Sequence, residues 1–144
     1  MSKKGFYRPK NPEKYKGDPT TIIYRSSWEL KLMVYLDKSK EVVLWSSEEL
    51  KIPYRSPMDN KIHSYYPDFF VRKKTSAGVI EDFIIEVKPK KQVNPPIIKK
   101  VPDMRYLKEV RIYGINTAKW KAAREYCKNK NWKFVIYTEK ELGL

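Results

Sequence analysis

The sequence predicts an α/β domain in which a central mixed β-sheet is flanked by helices. Its periodic segments follow the order helix, four β-like segments, helix and strand. Hydrophobic residues make up 41% of the chain and aromatic residues 14%, which is enough apolar material for a core. A length of 144 residues suits one such core better than two. We therefore expect a single domain over residues 20–144, preceded by an arm over residues 1–19.

The N-terminal arm is expected from its charge and its prolines. Its basic residues are Lys3, Lys4, Arg8, Lys10, Lys14 and Lys16. Prolines at positions 9, 12 and 19 interrupt any regular element. A solvated, flexible arm is the expected structure, and folding onto DNA or onto a protein partner is the alternative.

The first regular element is a helix over residues 27–38. Its apolar side chains recur at helical spacing and are Trp28, Leu32, Tyr35 and Leu36. Short β-like segments follow at residues 42–45, 50–54 and 62–72. Because these three segments lie close together along the chain, we expect them to form a meander.

The second half begins with a turn at residues 75–78 and a strand over residues 81–88. Residues 89–102 are expected to be irregular, and a short helix over residues 103–111 follows them. The next helix spans residues 117–130, with Asn116 or Thr117 as its N-cap. A strand over residues 132–137 comes last, and Thr138 and Glu141 then have the spacing of a capping box.

The net charge limits the classes of partner. Lys and Arg number 31 and Asp and Glu number 17, so the net charge is 31 − 17 = +14. Such an excess favours binding to a polyanion, because neutralised phosphates release condensed counterions. An anionic membrane is the rival partner, but the sequence contains no long basic amphipathic helix with a clean apolar face. A merely solubilising surface is the other alternative.

Cysteine and histidine usage excludes two classes of site. Cys127 is the only cysteine and His63 the only histidine, so neither an intrachain disulfide nor a Cys/His zinc site can form. The N-terminal residues contain no apolar stretch typical of a signal peptide, and no segment approaches the length of a membrane span. We expect a soluble protein that is not secreted.

The strand over residues 81–88 carries a candidate catalytic pair. Successive side chains of a strand point to opposite faces, so Glu86 and Lys88 share one face while Ile85 and Val87 share the other. A carboxylate there can bind Mg²⁺ through oxygen. The neighbouring lysine can orient a water molecule or stabilise charge on a phosphate. An ordinary ion pair at a strand end is the alternative.

Asp68 is the third candidate. It follows Pro67 within a strand-like aromatic segment where Asp is otherwise unfavourable, and Pro67 indicates an edge, a bulge or a bend. Asp68 precedes Glu86 by 86 − 68 = 18 residues, a separation suited to a hairpin that brings the two carboxylates together. A turn-forming Pro-Asp dipeptide is the alternative interpretation.

These residues resemble the active site of the PD-(D/E)xK nuclease superfamily, whose core is restriction-endonuclease-like. The layout also resembles TnsA-type transposon endonucleases, in the segments Ser26 to Glu29, His63 to Phe69 and Ile85 to Pro89. The resemblance implies that Asp68 and Glu86 bind one or two Mg²⁺ or Mn²⁺ ions and that Lys88 assists the attacking water. It also implies that Glu29, on the preceding helix, completes the catalytic and metal-binding site.

The full chain also resembles the head completion nucleases of T-even-like tailed bacteriophages. The segments that carry this resemblance lie near both ends of the chain, at residues 4–18, 26–31 and 119–142. It implies a deoxyribonuclease that processes or protects the ends of the packaged double-stranded genome before head–tail joining. Portal or neck proteins are then implied partners, and the host cytoplasm during assembly, or the virion, is the implied location.

Several candidates have a structural explanation as well as a functional one. Ser26 and Glu29 have the spacing of a capping box, which explains Glu29 as well as a metal-binding role does. His63 is expected to be a partly exposed strand residue, with a proton shuttle or DNA contact as the alternative. Four lysines that follow the catalytic strand are candidate DNA-binding residues, and they are Lys90, Lys91, Lys99 and Lys100. Three other acids are read as surface charge, namely Glu41, Glu48 and Glu49.

The sequence therefore predicts a metal-dependent nuclease that acts on DNA without strong sequence preference. A structural, non-cutting DNA plug of the phage head–neck region is the alternative. A protein that binds or processes RNA is a weaker alternative, supported only by charge and aromatic content.

Overall fold

The fold is described by a computed structural model covering residues 4–144. The strands are β1 (Gly5–Phe6), β2 (Ile23–Tyr24), β3 (Val42–Ser47), β4 (Ile52–Arg55), β5 (Ile62–Tyr65), β6 (Phe69–Lys74), β7 (Ile80–Val87) and β8 (Lys133–Tyr137). The helices are α1 (Ser27–Lys38), α2 (Lys90–Val93), α3 (Met104–Lys130) and α4 (Glu139–Leu142). A short 3₁₀ helix spans Pro12–Lys14.

The central sheet has four strands in the order β3-β6-β7-β8. Its first three strands run antiparallel to their neighbours, whereas β8 pairs with β7 in parallel through the long crossover helix α3. One face packs against α1 and buries Leu32, Leu36 and Trp45. The other face packs against α3 and buries Ile84, Trp120 and Cys127. The predicted α/β class with a mixed sheet between helices is confirmed.

The expected meander is wrong. Strands β4 and β5 form a separate two-stranded hairpin, while β3 skips over them to pair with β6. The predicted strand over residues 62–72 is therefore two strands belonging to two sheets. The break between them includes Pro67, which has no amide hydrogen to donate to a ladder. The hairpin packs against α3 through Ile52, Tyr54 and Tyr65.

The two helices predicted between residues 103 and 130 are one continuous helix of 27 residues. Asp103 is its N-cap and accepts a hydrogen bond from the backbone N–H of Tyr106 at 2.8 Å, so the predicted cap at Asn116 or Thr117 is wrong. Gly114 weakens the middle of the helix, but a single glycine costs only about 1 kcal/mol. Burial of Trp120, Ala123 and Cys127 in the core offsets that cost. The capping box predicted at Thr138 is confirmed.

The N-terminal segment is not a free arm over residues 4–19. Tyr7 donates a hydrogen bond to the Asp37 carboxylate at 2.9 Å, and the backbone N–H groups of Lys10 and Asn11 donate to it at 2.7 and 3.0 Å. Tyr15 is buried edge-on against Trp45 at a centroid distance of 4.8 Å. Apolar burial and the fully buried Asp37 carboxylate outweigh the charge and proline content that predicted an arm. Residues 1–3 of the predicted arm lie outside the described residues.

None of the helices in residues 4–144 combines the length and the apolar character needed to cross a membrane.

Candidate active site

Asp68 and Glu86 lie opposite each other on neighbouring strands of the central sheet. Strands β6 and β7 pair antiparallel with Phe69 opposite Ile85, so the residues one step further, Asp68 and Glu86, come together. Asp68 immediately precedes β6, and Lys88 immediately follows β7. The 18-residue separation thus closes through the hairpin with its turn at Thr75–Gly78, as predicted.

Hydrogen bonds hold both carboxylates at this end of the sheet. The backbone N–H of Val87 donates to Asp68 Oδ2 at 2.8 Å. The Tyr65 hydroxyl donates to Glu86 Oε1 at 2.8 Å, and the backbone N–H of Asp68 approaches the same oxygen at 3.4 Å. Within residues 4–144, Asp68 Oδ1 and Glu86 Oε2 accept no hydrogen bond. One oxygen of each carboxylate is therefore held and the other is available.

Lys88 lies beside this pair. Its Nζ is 3.9 Å from Glu86 Oε2, the outer limit of an ion pair, and its side chain is partly exposed. Its backbone N–H donates to the carbonyl of Tyr137 at 3.0 Å, which continues the pairing of β7 with β8 past the last strand residue. The backbone of Lys88 is thus fixed while its ammonium group can reach toward solvent.

The site opens into a small cavity of about 200 Å³. Acidic side chains from two elements line it, Glu29 from α1 and Asp68 from the start of β6, and Lys88 lines it beside them. The rest of the lining comes from the residues that flank α1 and from the segment after β7, namely Arg25, Ser26, Val87, Pro89 and Gln92. The cavity therefore collects three of the four predicted catalytic residues, with Glu86 buried behind them at 4% exposure.

The electrostatics of the cavity favour a bound cation. Burial and the neighbouring Glu86 carboxylate raise the pKa of Asp68 well above its usual range, and Glu29 raises it further. Burial raises the pKa of Glu29 too, and the charges on Glu48 and Glu86 add to that shift. Each carboxyl group thus resists ionisation, first because it is buried and second because neighbouring carboxylates repel its negative charge. A cation placed among them would relieve this repulsion.

The donor set fits a partly hydrated cation such as Mg²⁺ better than a cation enclosed entirely by protein ligands. Among the described residues, no three acidic, histidine or cysteine side chains converge closely enough to enclose a metal by themselves. Mg²⁺ usually keeps several water ligands and binds through one or two carboxylates plus phosphate oxygens. The available oxygens of Asp68 and Glu86 meet that requirement, with Glu29 on the same cavity wall.

Glu29 takes part in only half of a capping box. The Ser26 hydroxyl accepts a hydrogen bond from the backbone N–H of Glu29 at 3.2 Å, as an N-cap does. The Glu29 carboxylate, however, is approached by the backbone N–H of Arg25 at 3.3 Å and not by that of Ser26. A weak bond at this distance leaves the carboxylate able to face the cavity.

Four residues that the sequence patterns did not single out also lie at or beside the site. Tyr65 holds Glu86, while Arg25 and Gln92 line the cavity. Glu48, read as surface charge, pairs with Arg25 at 3.2 Å and raises the pKa of Glu29. No local pattern marks Tyr65, because its role arises only where the end of β5 meets Glu86 at the end of β7.

The predicted DNA-binding residues are dispersed. His63 lies on the β4–β5 hairpin, where it pairs with Asp59 at 2.8 Å. The others lie beyond Lys88 on and after α2, and they are Lys90, Lys91, Lys99 and Lys100. Lys99 pairs with Asp103 at 3.0 Å on the exposed surface, and Lys90 uses its backbone N–H to bind Glu139 at 2.8 Å. His63 and these four lysines are therefore absent from the cavity lining, although Lys90 and Lys91 lie between two of its lining residues, Pro89 and Gln92, along the chain.

Comparison with known proteins connects this geometry to a family. Residues 39–139 match the model described as TnsA-like endonuclease N terminal, a stretch that includes Asp68, Glu86 and Lys88. The chain is also similar to the head completion nuclease of Enterobacteria phage T4, with 38% identity over 143 residues, covering 96% of this chain and 93% of that protein. The second match extends over the N-terminal segment and α1, and so includes Glu29. The chain is therefore a member of the TnsA-like endonuclease N-terminal family, with the mixed α/β core expected of a PD-(D/E)xK nuclease.

Proposed function

We propose that this protein is a Mg²⁺-dependent deoxyribonuclease that hydrolyses phosphodiester bonds during phage head completion. One observation carries the proposal. Asp68 and Lys88, from adjacent strand ends, line one open cavity, and the Glu86 carboxylate lies behind them, opposite Asp68 and 3.9 Å from Lys88 Nζ. Membership of an endonuclease family supports the same chemistry.

The roles of the residues follow from their surroundings. Asp68 and Glu86 would hold the divalent cation through their available oxygens, and Glu29 from α1, which lines the same cavity as Asp68, would contribute a further carboxylate. Bound there, Mg²⁺ or Mn²⁺ supplies Lewis acidity toward a phosphate oxygen and acidifies a water molecule. Lys88 directs that water toward phosphorus and stabilises the charge that develops on the phosphate.

The charge of the molecule supports DNA as the substrate. A net charge of +14 attracts a polyanion, and four lysines lie beyond Lys88, where a strand entering the cavity would run. Lys90 and Lys91 on α2 are the nearest of them along the chain. Contacts of this type reach phosphates and not base edges, so cleavage is expected to depend weakly on sequence.

The proposed role in head completion rests on the similarity to the head completion nuclease of phage T4. Similarity over nearly the whole of both chains supports the same role here, acting on the ends of packaged DNA before head and tail join. Portal or neck proteins are the corresponding partners, and assembly would take place in the host cytoplasm.

One assay separates nuclease from plug. Purified protein is incubated with linear, circular and single-stranded DNA and, separately, with RNA, in Mg²⁺ or in EDTA. The proposal predicts cleavage in Mg²⁺, none in EDTA, and none by Asp68→Asn, which should still bind DNA. DNA binding by the wild-type protein without cleavage in Mg²⁺ or Mn²⁺ would instead establish the non-catalytic plug. Cleavage in Mg²⁺ of RNA but not of DNA would establish the RNA-processing alternative.

A further inference from the structure

A second and larger groove adjoins the active-site cavity. It has a volume of about 680 Å³ and lies between the first turns of α3 and the segment over residues 91–99. Gln92 lines both the groove and the active-site cavity. The two spaces are therefore neighbours on one surface, and a chain molecule lying in the cavity can continue into the groove.

The walls of the groove combine apolar surface with positive charge. Pro96, Ile97, Ile112 and Tyr113 provide apolar and aromatic surface. Ile97 is 88% exposed, so its apolar side chain is open to contact by a molecule in the groove. Three basic side chains also line the groove, and they are Lys91, Lys99 and Arg105.

Two acidic residues near the groove pair with its basic side chains but do not prevent those side chains from binding phosphate. Glu109 lines it and pairs with Arg105 at 3.4 Å, and Asp103 pairs with Lys99 at 3.0 Å. Both pairs join exposed side chains one helical turn apart or across a loop, an arrangement that contributes little stability. Phosphates can therefore take the place of these carboxylates at small cost.

We propose that this groove binds unpaired nucleotides of the DNA strand that occupies the active site. In a duplex the base faces are stacked inside and only phosphates and groove edges are exposed, so an apolar wall gains nothing from it. Unpaired bases expose apolar faces that stack on aromatic and aliphatic side chains while cations contact their phosphates. The inference rests on the proposed function, and it assigns to the enzyme a preference for DNA with frayed, overhanging or splayed ends.

Charge and position favour a nucleic-acid strand over other occupants. A second copy of this chain would bring another +14 charge to an already basic surface. A protein segment with acidic and apolar side chains would match the walls, but it gives no reason for the groove to share Gln92 with the catalytic cavity. A single strand that passes from the cavity into the groove needs the two spaces to adjoin, as they do at Gln92.

The test uses two pairs of matched variants. Ile97→Asp alters a groove residue, and Ile98→Asp makes the same change at its neighbour, which is 87% exposed and does not line the groove. Arg105→Glu reverses a groove charge, and Arg111→Glu reverses an exposed charge on the same helix outside the groove. All four positions are exposed, so each variant is expected to fold.

Affinity for a fluorescein-labelled single strand of about 12 nucleotides is measured by anisotropy in EDTA, where no cleavage occurs. Ile97→Asp and Arg105→Glu should each weaken binding about tenfold or more, the loss that one stacked base or one buried phosphate contact produces. Ile98→Asp and Arg111→Glu should stay within about twofold of wild type. Equal losses within either matched pair, including no loss in both members, would overturn the inference.

Cleavage gives an independent measurement. In Mg²⁺ the wild-type enzyme should cut a splayed duplex about tenfold faster than a blunt duplex of the same sequence, and Arg105→Glu should lose most of that difference. Equal cleavage of both duplexes by the wild-type enzyme would contradict single-strand binding in the groove, while the proposed nuclease function would stand. Single-strand binding that depends on Ile97 and Arg105, without any cleavage, would support the nucleotide-binding groove and contradict the proposed nuclease function.

Discussion

The carboxylate of Asp68 accepts a hydrogen bond from the backbone N–H of Val87 at 2.8 Å, and Val87 is the residue between Glu86 and Lys88. The first acid of the site is thus joined to the segment that carries the other two proposed catalytic residues, Glu86 and Lys88. This bond survives if the carboxylate becomes an amide, since an amide oxygen also accepts. The charge of Asp68 can therefore be removed without removing its anchor.

Asp68→Asn should abolish cleavage and stabilise the metal-free protein. The substitution keeps the bond from Val87 but removes a carboxylate whose pKa is raised by its burial and by repulsion from Glu86. We expect Tm at pH 7 to rise by about 2–4 °C, the effect of ~1 kcal/mol on a chain of this size. Calorimetry in EDTA measures the shift, and a Tm below wild type would contradict the electrostatic explanation.

The contribution of Asp68 and Glu29 to the stability of the wild-type protein should fall as pH rises from about 4 toward neutrality. The pKa values of Asp68 and Glu29 are raised in the folded state, so the folded chain retains protons that the unfolded chain has already released. The free energy of unfolding then decreases with pH across that window. Mg²⁺ at neutral pH should recover the lost stability in wild type but not in Asp68→Asn, as chemical denaturation with and without the ion would measure.

Lys88→Ala should lower kcat by about 10³ while leaving the fold intact, the usual effect of losing one charge-stabilising donor. The backbone bond from Lys88 to Tyr137 does not depend on the side chain. Lys133→Ala is the matched control, because Lys133 pairs with Glu81 at the other end of β7. Similar cleavage rates in the two variants under saturating Mg²⁺ would exclude a catalytic Lys88.

Glu29→Gln and Ser26→Ala separate metal binding from helix capping. Glutamine can still accept the bond from Arg25, so stability should change little, while the Mg²⁺ concentration for half-maximal cleavage should rise about tenfold. Ser26→Ala removes the N-cap and should cost about 1 kcal/mol of stability without changing that Mg²⁺ requirement. The reverse pattern in a Mg²⁺ titration would assign Glu29 to the cap alone.

Tyr65→Phe should destabilise the fold by about 1–3 kcal/mol, because it leaves the buried Glu86 carboxylate without its hydroxyl donor. Phenylalanine preserves the packing of the ring against α3, so the loss reports the hydrogen bond. Tyr66→Phe, at an exposed neighbouring position, is the control and should be neutral. Urea denaturation of both variants measures the difference, and equal stability would show that the Tyr65 bond contributes nothing.

Asp37→Asn should loosen the N-terminal segment. Asp37 is fully buried and accepts bonds from Tyr7, Lys10 and Asn11, which an amide with one acceptor oxygen cannot all satisfy. We expect a loss of about 2–3 kcal/mol and faster proteolysis before residue 20. Asp59→Asn, at an exposed position, should change neither measurement.

Local patterns in the sequence predicted the catalytic strand well. Strand alternation predicted that Glu86 lies on the face opposite Ile85 and Val87. The structure agrees, because Ile85 and Val87 pack in the core under α1, whereas Ile84, on the same face as Glu86, packs in the core under α3. Helix α1 was predicted with the bounds that it has, because its apolar spacing and its serine cap agree. Periodicity and capping are properties of neighbouring residues, which a single sequence contains.

Longer-range features could not be predicted in this way. The separation of β4 and β5 from the central sheet depends on which strand β3 pairs with, and several pairings satisfy the same alternation. The N-terminal segment has the composition of an arm, yet Asp37, a partner more than 20 residues away, holds it in place. Tyr65 escaped notice because its role arises only when β5 meets the end of β7.

Cys127 gives the protein an experimental advantage. It is the only cysteine, it lies buried at 2% exposure in the core under α3, and burial raises the pKa of its thiol to about 11. Such a thiol is almost entirely protonated at neutral pH and shielded from maleimides. An Ile98→Cys variant would therefore carry a single reactive handle on the native background. A fluorophore attached there would report the arrival of a labelled DNA end in real time.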